Sequence, residues 1–173
     1  MEKFTLGGGC FWCLDSAYSQ LKGVAEVTCG YAGGHDRHPN YASVCNGTTG
    51  HAEVVSVEFD PEVISEEVIL DVFFTVHDPT QLNRQGHDVG TQYRSAMFYE
   101  SQRQKELFES AVAQANETWG GRVVTEITQL QEFFEAEDYH QDYFAKNPTQ
   151  GYCVAVVAPK VSKVRASFSH LIK

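Results

Sequence analysis

The run Gly7-Gly8-Gly9 is the strongest constraint on how this chain can fold. Three successive residues without a β-carbon support neither helix nor strand well, so the run marks a hinge. Its flanks differ in period. Glu2 to Leu6 is short and suits a strand entering the glycines. Beyond the hinge, Phe11, Leu14, Tyr18 and Leu21 recur at steps of three, four and three, which is one face of a helix. Gly23 stands where such a helix would end. The chain must turn a strand–glycine–helix corner, and Cys10 is the first residue past it.

Val24 to Tyr31 is a strand, followed by about twenty turn-rich residues. Val55, Val57 and Phe59 alternate as a second strand. Ser65 can cap a helix that carries Glu66 and Glu67 in its first turn and Val68, Ile69, Val72, Phe73 and Val76 on one face. The stretch from His77 to Gln92 is too long for a simple connection, which marks it as a functional loop. Tyr93 to Tyr99 alternates again. This order is β-α-β-β-α-β, the ferredoxin-like split unit.

Ser101 and Gln104 suit a capping box for the next helix, with Leu107, Phe108, Ala111, Val112 and Ala115 inward. Val123, Thr125 and Ile127 suggest a strand, and Ala136 to Lys146 a short helix. Cys153 to Val157 reads as a buried strand, and Val161, Val164, Phe168 and Leu171 as a last amphipathic stretch. The expected fold is α+β: one domain over residues 1–173, a mixed sheet around a ferredoxin-like core, extra helices, and long loops at one end.

Composition narrows the function. Asp and Glu number 23 against 13 Lys and Arg, a net charge of -10. No basic cluster exists to hold phosphates, which excludes nucleic acid and an anionic membrane surface as partners. No apolar stretch approaches the roughly 20 residues of a membrane helix. The five cysteines are odd in number and scattered. That pattern fits reduced thiols in the cytoplasm better than a disulfide scaffold.

The chemistry concentrates at the hinge. A thiol at a helix N-terminus meets unpaired N–H groups and the positive dipole end, which should lower its pKa. Cys10 is the candidate nucleophile. Cys10 and Cys13 form a CxxC pair, one helical turn apart and compatible with thiol–disulfide exchange. A zinc site would need two more ligands at motif spacing, and no second CxxC follows, so no metal is expected. Phe11 and Trp12 can pack, or can wall a pocket for a methyl or thioether group. Glu53 enters a strand. If it faces inward it stays protonated and can donate a proton to chemistry at the thiol. Tyr41 and Tyr93 can each offer a phenolic O–H. A general disulfide oxidoreductase and an acidic binding domain with incidental cysteines stand as alternatives at this point.

Six segments sharpen the reading: Gly9-Cys10-Phe11-Trp12, Gly30-Tyr31-Ala32-Gly33-Gly34, Thr49-Gly50-His51-Ala52-Glu53, His77-Asp78-Pro79-Thr80, Gly90-Thr91-Gln92-Tyr93-Arg94-Ser95 and Ala136-Glu137-Asp138-Tyr139-His140-Gln141. In this order and spacing they resemble the methionine sulfoxide reductase A family, the peptide-methionine (S)-S-oxide reductases, from Gly8 to about Cys153. The resemblance implies that Cys10 attacks the sulfoxide sulfur and Glu53 protonates the departing oxygen. It implies that Tyr41 and Tyr93 hydrogen-bond that oxygen, that Asp88 supports them, and that Phe11 and Trp12 hold the substrate's methyl group. It further implies preference for the S epimer, no bound cofactor, and recycling through an intramolecular disulfide and a thioredoxin-like dithiol. Oxidised proteins, peptides or free methionine sulfoxide are the implied substrates, and a monomer is expected.

The chain also departs from the pattern. Many family members carry Gly where Cys13 stands, and end in a flexible Gly-rich tail with resolving cysteines. Here Cys153 matches the first tail position but enters an apolar run, and no cysteine follows it. Three routes stay open: a Cys10–Cys13 disulfide, a Cys10–Cys153 disulfide, or direct reduction of the sulfenic acid. Of the two cysteines, Cys13 is the expected partner of Cys10.

Overall fold

Phe4 and Leu6 alternate with Lys3 and Thr5 along β1 (Glu2–Gly7), and both apolar side chains are fully buried. The computed structural model describes residues 1–173 and places β1 near the centre of a six-stranded sheet. After β1 come α1 (Phe11–Ser19), β2 (Val24–Ala32), α2 (Tyr41–Cys45), β3 (Ala52–Phe59) and α3 (Glu66–Val76). A small hairpin of β4 (Arg84–Gln85) and β5 (Asp88–Val89) precedes β6 (Ala96–Tyr99), α4 (Gln102–Trp119), β7 (Glu126–Gln129) and β8 (Phe134–Glu135). The chain ends with α5 (Tyr143–Lys146) and α6 (Ala158–Ser167).

The sheet order is β7-β6-β1-β3-β2-β8. Its inner four strands are antiparallel throughout, the arrangement of the split β-α-β unit, while β7 runs parallel to β6 and makes the sheet mixed. The fold is the α+β class expected from the sequence. Helices α1 and α3 cover one face, where Phe11, Leu14, Tyr18, Ile69 and Phe73 join Phe4, Leu6, Val55, Val57 and Phe59 in one core. Each such side chain taken from water stabilises the fold by roughly 1.5–3 kcal/mol. On the other face Ala52, Val54, Ala96 and Phe98 form a smaller cluster under Leu130 and Phe133.

The glycine hinge has a steric cause. A β-carbon on Gly8 would lie 3.1 Å from the His77 ring, and one on Gly9 would lie 2.8 Å from Gln85 Cγ. Gly9 also adopts φ +92°, where side chains are strained. The hairpin and the end of α3 press directly on the turn that delivers Cys10.

Several local expectations are corrected. Residues 136–146 form no continuous helix: β8 leads into a 3-10 turn at Asp138–His140, then Asp142 at φ 55° interrupts the chain before α5. The run Cys153–Val157 is not a strand but a π-helical turn that continues into α6. The apolar string there fits either state by composition, and Pro159 near the start of α6 favours helix. The strand read at Tyr93–Tyr99 begins only at Ala96, behind a 3-10 turn, and the strand around Ile127 begins only at Glu126. Ser101 Oγ does accept the Gln104 N–H, but the Gln104 side chain accepts from Glu100 N–H, so only half of the capping box forms.

Candidate active site

Cys10 is the N-cap residue of α1, and its carbonyl accepts the Cys13 N–H at 3.1 Å. Its side chain is only 8% exposed. That burial reverses the expectation of a lowered thiol pKa. Desolvation, then the hydrogen bond with Cys13, then the Glu53 charge push the Cys10 thiol well up, and the Trp12 N–H pulls down without prevailing. The helix end acts on this sulfur, but the apolar surroundings outweigh it. Cys13, more deeply buried still, moves the other way, chiefly through the influence of Cys10.

Glu53 is the second residue of β3, and the strand register turns it to the helix-covered face. It is 1% exposed, and Oε1 accepts the Phe11 N–H at 3.1 Å, one residue past the thiol. Burial raises its pKa to about 8, with the Asp88 and Cys13 charges adding to the rise. At neutral pH this is a protonated acid beside a protonated thiol.

The two tyrosines face the same space. Tyr41 opens α2, whose N-cap Asn40 forms a full capping box with Ser43. Tyr93 ends the 3-10 turn before β6. Burial and then the Glu53 charge hold both phenols above their ordinary pKa, and Cys10 acts on both in the same direction. Both stay O–H donors. Both tyrosines also act on the Cys45 thiol, whose pKa burial raises. Asp88, on the hairpin, accepts the Tyr152 hydroxyl at 2.5 Å. The structure therefore brings Cys10, Cys13, Glu53, Tyr41, Tyr93 and Asp88 to one location. Cys153 is fully buried at the start of the π-helical turn, within electrostatic reach of Cys13.

Phe11 and Trp12 divide as neighbours on a helix must. Phe11 is fully buried against Tyr31 and Tyr41, while Trp12 is part-exposed. The Trp12 indole stacks on Tyr143 with centroids 3.8 Å apart and planes 4° from parallel. Its Nε1–H donates to His140 Nδ1 at 3.0 Å, which leaves the ring's remaining proton on Nε2, buried and without a partner.

Reading from sequence assigned no role to His140, Tyr143, Tyr152 or Glu137. Glu137 accepts both the Tyr31 hydroxyl, at 2.8 Å, and the Tyr41 N–H, at 2.9 Å, and so fixes Tyr41. The signal was the segment around Glu137-Asp138-Tyr139-His140-Gln141, whose side chains diverge once the continuous helix is replaced by turns. A cavity of about 460 Å³ between α3 and α4 includes none of these residues.

A buried thiol at a helix N-cap, beside a second thiol and a buried carboxyl, is an arrangement suited to an oxidoreductase that works through cysteine. The family model for peptide methionine sulfoxide reductase matches residues 2–171. The peptide methionine sulfoxide reductase MsrA of Arthrobacter sp. (strain FB24) is 60% identical over 98% of this chain and 97% of its own. That of Chromobacterium violaceum is 53% identical over 100% of this chain and 99% of its own. Among solved structures, reduced Mxr1 from Saccharomyces cerevisiae superposes with a TM-score of 0.83 at 36% identity, covering 88% of each chain. Methionine sulfoxide reductase A of Corynebacterium diphtheriae gives 0.80 at 35% identity, covering 86% of this chain and 76% of that one. Mxr1 in complex with Trx2 gives 0.59 at 25% identity, covering 82% and 84%. The chain belongs to the peptide methionine sulfoxide reductase family, in its MsrA branch.

Proposed function

We propose that this single domain reduces methionine S-sulfoxide, in proteins, peptides or free, with Cys10 as nucleophile and Glu53 as acid. The observation that carries the reading is Glu53: buried, protonated at neutral pH, and bound through the Phe11 N–H to the turn that holds Cys10. A sulfoxide oxygen leaves poorly unless it gains protons as the S–O bond breaks, and an acid with pKa near the working pH suits that task. Glu53 passes its proton to the oxygen and receives the thiol proton of Cys10. The raised thiol pKa is then no obstacle, because deprotonation accompanies attack.

The sum is balanced: thiol plus sulfoxide gives cysteine sulfenic acid plus methionine. The Tyr41 and Tyr93 hydroxyls steady the oxygen, and Asp88 orders the hairpin side of the site through Tyr152. Trp12 and Phe11 supply apolar walls for the methyl group. Cys13, near enough to act on the Cys10 thiol, then condenses with the sulfenic acid to a disulfide and releases water. A thioredoxin-like dithiol reopens that bond, with no cofactor bound to the chain.

This division favours Cys13 over Cys153, which sits on a helical turn rather than on a mobile tail. Five free cysteines suit a reducing compartment such as the cytoplasm, and the acidic surface suits a monomer without nucleic acid or membrane partners. No helix is long and apolar enough to cross a membrane. The test of the route is disulfide mapping by mass spectrometry after reaction with substrate and no reductant. A Cys10–Cys13 bridge is expected; a Cys10–Cys153 bridge or a persistent sulfenic acid overturns the assignment of Cys13.

A further inference from the structure

Asp15 is a buried carboxylate that the chemistry above does not use. It lies on α1, three residues past Trp12, and is 2% exposed. All its partners are donors: the Ser19 hydroxyl at 3.1 Å, the Cys29 thiol at 3.6 Å and the Asp142 N–H at 2.9 Å. Burial pushes its pKa up to about 6, so it remains ionised at neutral pH, as three donors require.

Asp142 is the unusual partner. It is one of two residues other than glycine with positive φ, at φ 55° and ψ 35°, and such a conformation is strained for a residue with a β-carbon. It is also the N-cap of α5, whose first residue is Tyr143. Tyr143 lies flat on the Trp12 indole at 3.8 Å. No capping hydrogen bond comes from the side chain of Asp142 itself. The Asp15 carboxylate thus meets the backbone at the one point where the chain must reverse to present Tyr143.

We propose that Asp15 is a positioning residue for the substrate pocket: from the helix that carries Trp12, it holds Asp142 in its left-handed turn and so sets Tyr143 flat against the Trp12 indole. Gln141 supports the same turn independently, with Oε1 accepting the Cys29 N–H and Nε2 donating to the Cys29 and Ala136 carbonyls. That second anchor ties the segment to β2; toward α1 the Trp12 Nε1–H holds His140, and Asp15 holds the Asp142 backbone itself. The proposal rests on the reading of Trp12 as a wall of the methyl pocket. Asp15 touches neither thiol of the CxxC pair nor Glu53, so its loss should act on substrate binding rather than on the chemical step.

The experiment uses the full chain with Trp119→Phe, which leaves Trp12 as the one tryptophan. Three further variants are compared in it: Asp15→Asn, Asp15→Ala, and Asp15→Ala with Asp142→Gly. Trp12 fluorescence reports the stack without any turnover, and steady-state kinetics on a methionine sulfoxide peptide report KM and kcat separately.

Asp15→Ala should shift Trp12 emission to the red and raise KM roughly tenfold, with kcat within about twofold of the parent. Asp15→Asn keeps an acceptor for the Asp142 N–H and should stay near the parent in both readouts. Glycine at 142 adopts the left-handed turn without help, so the double variant should recover emission and most of the KM. An unchanged KM and emission in Asp15→Ala, a loss confined to kcat, or no recovery with Asp142→Gly overturns the proposal. Should Asp15→Ala alone fail to fold, the double variant is read in its place: near-parent KM supports the hold, and a second failure to fold overturns it. A parent inactive on sulfoxide with these fluorescence shifts intact would instead defeat the reading of Trp12 and Cys10 while leaving the Asp15 contact standing.

Discussion

Replacing Glu53 by Gln removes one proton from the site and little else. The Gln carbonyl can still accept the Phe11 N–H that Glu53 Oε1 now accepts at 3.1 Å, and the side-chain volume hardly changes. Two consequences follow with different readouts. The first is kinetic. With a pKa of about 8, about nine in ten Glu53 carboxyls are protonated at pH 7. A positioned general acid contributes about 10²–10⁴-fold, so single-turnover sulfoxide reduction should fall by that factor in Glu53→Gln. The wild-type rate should itself fall as pH rises through about 8, where the acid ionises.

The second consequence concerns stability. The folded-state pKa lies above the ordinary carboxyl value of 4.5, so the native state keeps a proton that the unfolded chain releases. This contribution is full below pH 4.5 and is lost as pH rises to about 8, at about 1.4 kcal/mol per pH unit. Between pH 5 and 8 wild type should lose about 4 kcal/mol more than Glu53→Gln. Urea unfolding of both proteins across that range measures it. Parallel stability profiles would show that Glu53 is ionised throughout, and an unchanged turnover rate in Glu53→Gln would remove it from the chemistry.

Other substitutions separate the remaining roles. Cys13→Ser should keep one turnover per protein but lose thioredoxin-supported cycling, measured as methionine formed with and without the reductant. Tyr41→Phe and Tyr93→Phe should each slow reduction by roughly tenfold, the value of one hydrogen bond to a developing charge. Losing both should cost more than either, as single-turnover rates will show. Phe108→Ala should destabilise the fold by roughly 3–5 kcal/mol without touching the site. Phe108 is fully buried, edge-on to Phe4 at 5.1 Å, so thermal unfolding should change while KM holds.

The core of this fold is legible in the sequence because its elements repeat with a clear period. β1, α1, β3 and α3 each place apolar residues at strand or helix spacing, and Ser65 caps α3 by accepting the Val68 N–H. Residues 136–146 are not legible in that way. Asp142 breaks the helical period through a backbone angle, which leaves no mark on hydropathy, and the aromatic cover of Trp12 follows from that break. Cys153–Val157 fails differently: an apolar run of β-branched residues suits a strand, yet packing on α1 and continuation into α6 make it helical. The ordered segments name the candidate site residues that the fold gathers, but they do not show the thiol's electrostatics. A helix N-terminus argues for a lowered Cys10 pKa, and only the depth of burial reveals that desolvation prevails.

The most direct measurement is a single turnover without reductant. Wild type, Glu53→Gln and Cys10→Ser are each mixed with a peptide bearing either epimer of methionine sulfoxide, and the methionine formed is counted against protein. Wild type should yield one methionine per chain from the S epimer, Glu53→Gln the same yield at a far lower rate, and Cys10→Ser none. Methionine from Cys10→Ser, or equal rates with and without the Glu53 proton, would contradict the proposed chemistry.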